Sequence, residues 1–210
     1  MKPASILALA LLLSTACSNP RAEPPSPGTP TSASASRASE STAPPVQHDE
    51  GVAYFAGGCF WGVEHYLEEL DGVLSVESGY MGGHVDSPSY EQVSSQTSGH
   101  LETVRVRFDP AKIGYEAVAK RFFEIHDPTQ ADGQGPDIGP EYRSAVFYTS
   151  AAQKQTSEAL IQTLEGRGYD VVTELREAGP FWPAEDYHQN YYAKTGKTPY
   201  CHTRVRRFGD

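Results

Sequence analysis

The sequence predicts an α/β fold, an α+β two-layer sandwich close to a ferredoxin-like βαββαβ plait, with additions and a long irregular C-terminal tail. Three observations lead there. From residue 50 onward, short apolar runs of strand length alternate with segments whose apolar residues recur every three or four positions. Two of the strand-like runs are consecutive, which turns simple alternation into a β-α-β-β-α-β order. Residues 50–210 also have a normal length for one hydrophobic core.

Residues 52–56 (VAYFA) are short and apolar, as a buried strand should be. Gly57 and Gly58 then let the chain bend. Phe60, Val63, Leu67 and Leu70 follow at helical spacing, with Glu64, Glu68 and Glu69 between them. Residues 73–80 read as a strand and 81–90 as a long turn-rich loop. Residues 101–109 are the clearest strand, alternating from Thr103 onward. Tyr115, Val118, Phe122 and Ile125 mark a second long helix, and 128–140 is loop, rich in Gly, Pro and Asp. Residues 144–149 form a strand. Ser150 caps a third helix with Gln153 as its capping-box partner, and Gly166 and Gly168 end it. A strand at 171–175 follows. Pro183 opens a last helix running through Tyr192, Gly196 stops it, and the tail from Lys197 is irregular.

Ahead of this domain, residues 1–16 have the plan of a signal peptide: Lys2, then an apolar stretch over 6–13 too short to span a bilayer. Leu13-Ser14-Thr15-Ala16-Cys17 resembles a bacterial lipobox, with Ser14 where Leu is usual; Cys17 would then be a lipidated N-terminus. The other reading is plain cleavage after Ala16. Either way the chain is exported to a disulfide-permitting compartment. Ser18 does not resemble an inner-membrane retention signal. In the segment 18–48, 22 of 31 residues are Ser, Thr, Pro or Ala, which makes it a tether rather than a folded unit. The expected division is therefore signal peptide 1–16, anchor and linker 17–49, folded domain 50–210. The net charge of −10 argues against nucleic acid and against a polybasic membrane patch. Three cysteines are too few for a disulfide scaffold, and none are spaced as a zinc knuckle.

Cys59 is the first candidate for chemistry. It stands where a strand becomes a helix, and a helix N-terminus favours the thiolate, the reactive form. The ordinary alternative is a small buried hydrophobe, against which stand the two glycines and the adjoining Phe60 and Trp61. Glu102 has the strand parity of Val104, Val106 and Phe108, the apolar face. A carboxyl facing the core should hold its proton and serve as a general acid, unless the strand frays before it. Tyr90 and Tyr142 lie on loop-rich stretches, where a phenol can donate a hydrogen bond, although packing is the commoner role. His84, His100, His126, His188 and His202 show no metal spacing. Asp186 and His188 either line a site or lie on the surface. Cys201, in a flexible-looking tail, is either a second thiol able to reach the first or a spare one.

The motifs Gly58-Cys59-Phe60-Trp61-Gly62-Val63-Glu64, Ser78-Gly79-Tyr80-Met81-Gly82-Gly83, Pro88-Ser89-Tyr90-Glu91-Gln92-Val93 and Gly99-His100-Leu101-Glu102 occur in that order. They continue with His126-Asp127-Pro128-Thr129, Asp137-Ile138-Gly139-Pro140-Glu141-Tyr142-Arg143-Ser144 and Ala184-Glu185-Asp186-Tyr187-His188-Gln189. Together, from residue 52 to about 202, they resemble the A-type peptide-methionine sulfoxide reductases.

The resemblance implies a role for each residue. Cys59 attacks the sulfoxide sulfur, Glu102 protonates the oxygen, and Tyr90 and Tyr142 hydrogen-bond it. Phe60 and Trp61 form the S-methyl pocket, and Asp137 neighbours the thiolate. Cys201 resolves the Cys59 sulfenic acid as a disulfide, which a thioredoxin-like dithiol reduces. It further implies the S epimer as substrate and no metal or bound cofactor; joined to the export features of residues 1–48, it makes oxidised envelope proteins the expected targets. A monomer held to the membrane through a lipid on Cys17 completes the expectation. Pro136 and Glu141 depart from the Asn and Gln usual in the family. Two other classes remain at this point: a cysteine hydrolase or acyltransferase with a histidine base such as His100, and a tethered binding module without catalysis.

Overall fold

The computed structural model describes residues 50–209. The expected signal peptide, Cys17 and the linker lie outside the described residues. In chain order the elements are β1 (Gly51–Gly57), α1 (Phe60–Glu68), β2 (Val73–Met81), α2 (Tyr90–Ser94), β3 (Leu101–Phe108), α3 (Tyr115–Ile125) and a two-stranded hairpin, β4 (Gly133–Gln134) with β5 (Asp137–Ile138). A 3-10 turn (Pro140–Tyr142), β6 (Ser144–Tyr148), α4 (Ala151–Glu165), β7 (Glu174–Glu177), β8 (Trp182–Pro183) and α5 (Tyr191–Thr195) follow among the described residues.

Six strands form one sheet in the order β7-β6-β1-β3-β2-β8. The inner four are antiparallel throughout, and with α1 and α3 as connections they make the expected plait. The additions extend its edges: β7 lies parallel to β6 after α4, and β8 pairs with Gly79 and Tyr80 of β2.

The period-2 pattern of the strands sorts the two faces. Phe55 of β1, Tyr80 of β2 and Val104 and Val106 of β3 join Phe60, Val63 and Leu67 of α1 and Phe122 of α3 in one core. The Phe55 and Phe122 rings stack at 4.7 Å. Each such side chain contributes about 1.5–3 kcal/mol by leaving water. Ala56, Met81, Leu101, Ala145 and Phe147 form a smaller cluster with Tyr54 and Phe181. Arg105 covers the Phe181 ring at 4.9 Å and pairs with Glu77. Glu102 falls on the first face, opposite Tyr80 in the β2–β3 register.

Five local expectations are corrected. Residues 81–90 do not remain loop to their end: Ser89 and Gln92 form a full capping box and start α2 at Tyr90. Residues 128–140 contain the β4–β5 hairpin. The strand expected at 171–175 is shifted to 174–177, because Val172 N–H is taken by Pro128 O at 2.8 Å. Ser150 does cap α4, but Gln153 returns its oxygen to Thr149 N–H at 2.9 Å instead of completing the box. The last helix begins at Tyr191, not Pro183. Ahead of it Asn190 is left-handed (φ 54°), and Gln189 bridges to both backbone groups of Ser78, at 2.9 and 2.8 Å. Gln189 thus prolongs the β2 edge as a strand residue would, and holds the chain out of a helix. Gly196 ends α5 in the left-handed conformation, as expected.

The tail after Lys197 has no regular structure, yet it is docked. Val205 N–H reaches Glu124 O at 2.7 Å, Arg204 pairs with Glu124 at 2.8 Å, and Arg207 donates to Phe123 O at 2.9 Å. These contacts along α3 carry Cys201 into the interior.

Candidate active site

The site is built where β1 passes into α1. Gly58 has φ +93°, and a Cβ there would come within 2.3 Å of Gln134, so glycine is required on both counts. The turn makes Cys59 the N-cap of a nine-residue helix and leaves it 6% exposed. The first free N–H groups of α1 are shared out: Phe60 N–H donates to Glu102 Oε2 at 3.0 Å, and Trp61 N–H points at the Cys59 sulfur.

Glu102 is 3% exposed. Burial pushes its carboxyl well above the ordinary range; the charges of Cys59, Glu141 and Asp137 push the same way, and only the Phe60 N–H opposes them. The fraying alternative is therefore removed, and the side chain is poised to hold its proton.

Cys59 corrects one expectation. The helix N-terminus was expected to lower its thiol pKa. It is instead raised, by a hydrogen bond with Cys201, by burial and by the charges of Cys201 and Asp137, with the Trp61 N–H only partly offsetting them. The two sulfurs and an Asp137 carboxylate oxygen lie within 4.8 Å of one another. Both cysteines are free thiols. The largest influence on Cys59 is thus the docked tail, and undocking Cys201 would return the thiol toward helix-end control.

Tyr90 opens α2, and Tyr142 ends the 3-10 turn. Tyr142 hydrogen-bonds to Tyr90, and the charge of Glu102 acts on both. Burial, then Glu102, raise both phenols, which remain donors. Cys59, Glu102, Tyr90, Tyr142, Asp137 and Cys201 are therefore brought into one place from five separate stretches, Asp137 and Tyr142 sharing one. What faces the reactive thiol is a carboxyl, two phenols and a second thiol. His100 is tied into the 83–85 loop, by Gly83 N–H at 3.1 Å and Val85 O at 2.7 Å.

A family model described as peptide methionine sulfoxide reductase matches residues 51–209. The peptide methionine sulfoxide reductase MsrA of Natronomonas pharaonis is 47% identical over 153 residues, covering 71% of this chain and 86% of the relative. The chain belongs to this family. Among solved structures, Mxr1 from Saccharomyces cerevisiae in reduced form matches with a TM-score of 0.68 at 32% identity, covering 77% of this chain and 94% of that one. The same yeast protein in complex with Trx2 matches with a TM-score of 0.51 at 22% identity over 78% and 96% of the two chains, a likeness of fold.

The methionine sulfoxide reductase site has an aromatic wall. Phe60 is fully buried, 5.9 Å from the Tyr80 ring and 5.0 Å from His188. Half-buried Trp61 stacks on Tyr191 at 3.7 Å and donates from Nε1 to His188 Nδ1 at 3.2 Å. His188 thus lines the site, 4.7 Å from the Tyr90 ring, whereas Asp186 is exposed.

Three positioning residues were not singled out from the sequence. Glu185 accepts from Tyr80 O–H and Tyr90 N–H, both at 2.9 Å, and so pins α2 to β2. Glu64 accepts from Asn190 N–H at 3.0 Å and holds the turn that presents Tyr191. Both lie inside motifs quoted above, but their spacing gives no sign of these partners. His202 contacts Cys201. Of the two family departures, Pro136 is exposed and Glu141 is buried beside the acid, its Oε2 without a partner.

Proposed function

We propose that this reductase converts the S epimer of protein-bound methionine sulfoxide to methionine by thiol chemistry at Cys59, in the cell envelope. The observation that carries the reading is the coupling of thiol and acid: Glu102 is buried and hydrogen-bonded to Phe60 N–H, the residue next to Cys59. The sulfoxide oxygen accepts hydrogen bonds from Tyr90 and Tyr142, and the S-methyl group lies against Phe60 and Trp61. Cys59 Sγ forms a bond to the substrate sulfur as Glu102 gives its proton to the oxygen, and the proton of the broken Cys59 S–H bond passes to the carboxylate, restoring the acid. The oxygen passes to Cys59, leaving methionine and a sulfenic acid. Cys201, already beside Cys59, then displaces that hydroxyl as water and forms a disulfide.

An external dithiol of the thioredoxin class resets the pair. The yeast relative solved in complex with Trx2 supports that class of partner. The envelope setting rests on the sequence features of residues 1–48 and on Cys17 as a lipid anchor.

The test is single-turnover reduction by the pre-reduced full chain, with no recycling reductant, for each epimer of a methionine sulfoxide peptide. Methionine from the S epimer alone, with a Cys59–Cys201 disulfide identified by mass spectrometry, is the expected result. Equal turnover of both epimers would refute the stereochemistry, and no methionine from either would refute the reaction.

A further inference from the structure

We propose that His202 is the base that activates Cys201 for disulfide closure; the inference rests on the resolving role given to Cys201 above. His202 follows Cys201 directly, yet its ring folds back so that Nδ1 lies 2.9 Å from Cys201 Sγ. The other ring nitrogen, Nε2, lies 2.8 Å from the carbonyl oxygen of Gly57. A carbonyl oxygen only accepts, so Nε2 carries the hydrogen. In a neutral ring Nδ1 is then a bare lone pair, and the group it faces is the thiol. The Cys201 proton is already hydrogen-bonded to the atom that would take it.

The fold makes room for this ring. His202 is 2% exposed. A Cβ at Gly62, in the first turn of α1, would lie 2.2 Å from Nδ1, and one at Gly58 would lie 3.5 Å from Cε1. The imidazole is therefore wedged against the same strand end and helix start that present Cys59. Burial keeps the ring below the ordinary histidine range, against the pull of Gly57 O and Asp137, so it is neutral and basic at Nδ1. The titratable groups around it are Cys201 on its own segment, Cys59 at the start of α1, Asp137 on β5 and His126 at the end of α3.

The step balances as follows. His202 Nδ1 takes the Cys201 proton as Sγ forms the S–S bond to Cys59. The S–O bond of the sulfenic acid breaks, and the hydroxyl leaves as water with a proton from Glu102. Cys201 sulfur is oxidised and Cys59 sulfur reduced; the His202 proton returns to solvent, from which Glu102 is reprotonated. A positioned base is typically worth about 100-fold or more in such a step.

The test is rapid-quench single turnover of the full chain and of His202→Gln, following methionine and the Cys59–Cys201 disulfide in the same samples between pH 6.5 and 9. The glutamine Nε2 can keep the bond to Gly57 O but offers no base. At pH 7, disulfide closure relative to methionine formation should slow by about 100-fold in His202→Gln and recover toward pH 9 as hydroxide replaces the missing base, while the parent stays nearly flat. An unchanged ratio with an unchanged pH profile would overturn the proposal. A parent that makes methionine and no disulfide would remove the resolving role of Cys201 itself, and this inference with it. Nitrogen-15 NMR of the unmodified reduced chain needs no variant to fold. Hydrogen on Nε2 supports the base, and hydrogen on Nδ1 overturns it.

Discussion

Replacing Glu102 by glutamine separates the chemistry of this site from its architecture. Glutamine keeps the volume, and its oxygen can still accept from Phe60 N–H, now at 3.0 Å. The start of α1 should therefore not be left with an unsatisfied buried donor, which would cost about 1–3 kcal/mol. What is lost is the proton. General acid catalysis is typically worth 10²–10⁴-fold, or about 2.7–5.5 kcal/mol of barrier. Methionine formation in single turnover should fall by about that factor.

Stability should move the other way. Burial raises the folded-state pKa of Glu102, so the folded chain binds this proton more tightly than the unfolded one. Stability then falls as pH rises from the unfolded carboxyl pKa, about 4.3, through the folded value. Glu102→Gln removes that loss and should be the more stable protein at pH 8, with the difference closing at pH 4. Quenched-flow methionine assays and denaturant melts at the two pH values measure both halves. A Glu102→Gln rate within tenfold of the parent would refute Glu102 as the proton donor. A variant less stable than the parent at pH 8 would refute the cost assigned to its burial.

Glu141→Gln removes a negative neighbour of Glu102, so the alkaline fall of the methionine-forming rate should begin at lower pH; an unmoved pH–rate profile contradicts this. Glu64 is pushed up to about 7 from 4.5, chiefly by burial, so its ionisation costs about 3 kcal/mol above pH 7. Glu64→Gln should recover much of that at pH 8 and little at pH 4, read by urea melts. Asp137→Asn removes one of the charges that raise Cys59, so the thiolate absorbance near 240 nm should appear at lower pH than in the parent.

Much of the sheet could be read from the sequence because its strands obey a simple rule. Residues 103–108 alternate polar and apolar, the set of β3 on the core face is apolar apart from Glu102, and that exception is the buried carboxyl beside Cys59. The β1–Gly57–Gly58–Cys59–α1 passage was legible for the same reason, since two glycines between a strand pattern and a helix pattern allow few other readings. Less could be read where a side chain replaces a backbone partner. Gln189 prolongs a strand edge and Gln153 caps a residue earlier than expected. Neither act leaves a periodicity. Cys201 was placed on a flexible tail because nothing in residues 197–209 repeats; its order comes from Glu124 and Phe123 on α3, far away in sequence. The raised Cys59 thiol was missed for a related cause. A helix N-terminus is visible in sequence, whereas a second sulfur and a carboxylate delivered by two distant segments are not.

The central claim, that Cys59 takes the oxygen of methionine sulfoxide, is tested most directly in the full chain carrying Cys201→Ser. With no resolving thiol, the oxygen must stay where it first lands. One equivalent of the S sulfoxide should give one methionine and one sulfenic acid, trapped by dimedone at Cys59. Methionine formed with no adduct at Cys59, or with the adduct elsewhere, would contradict the account.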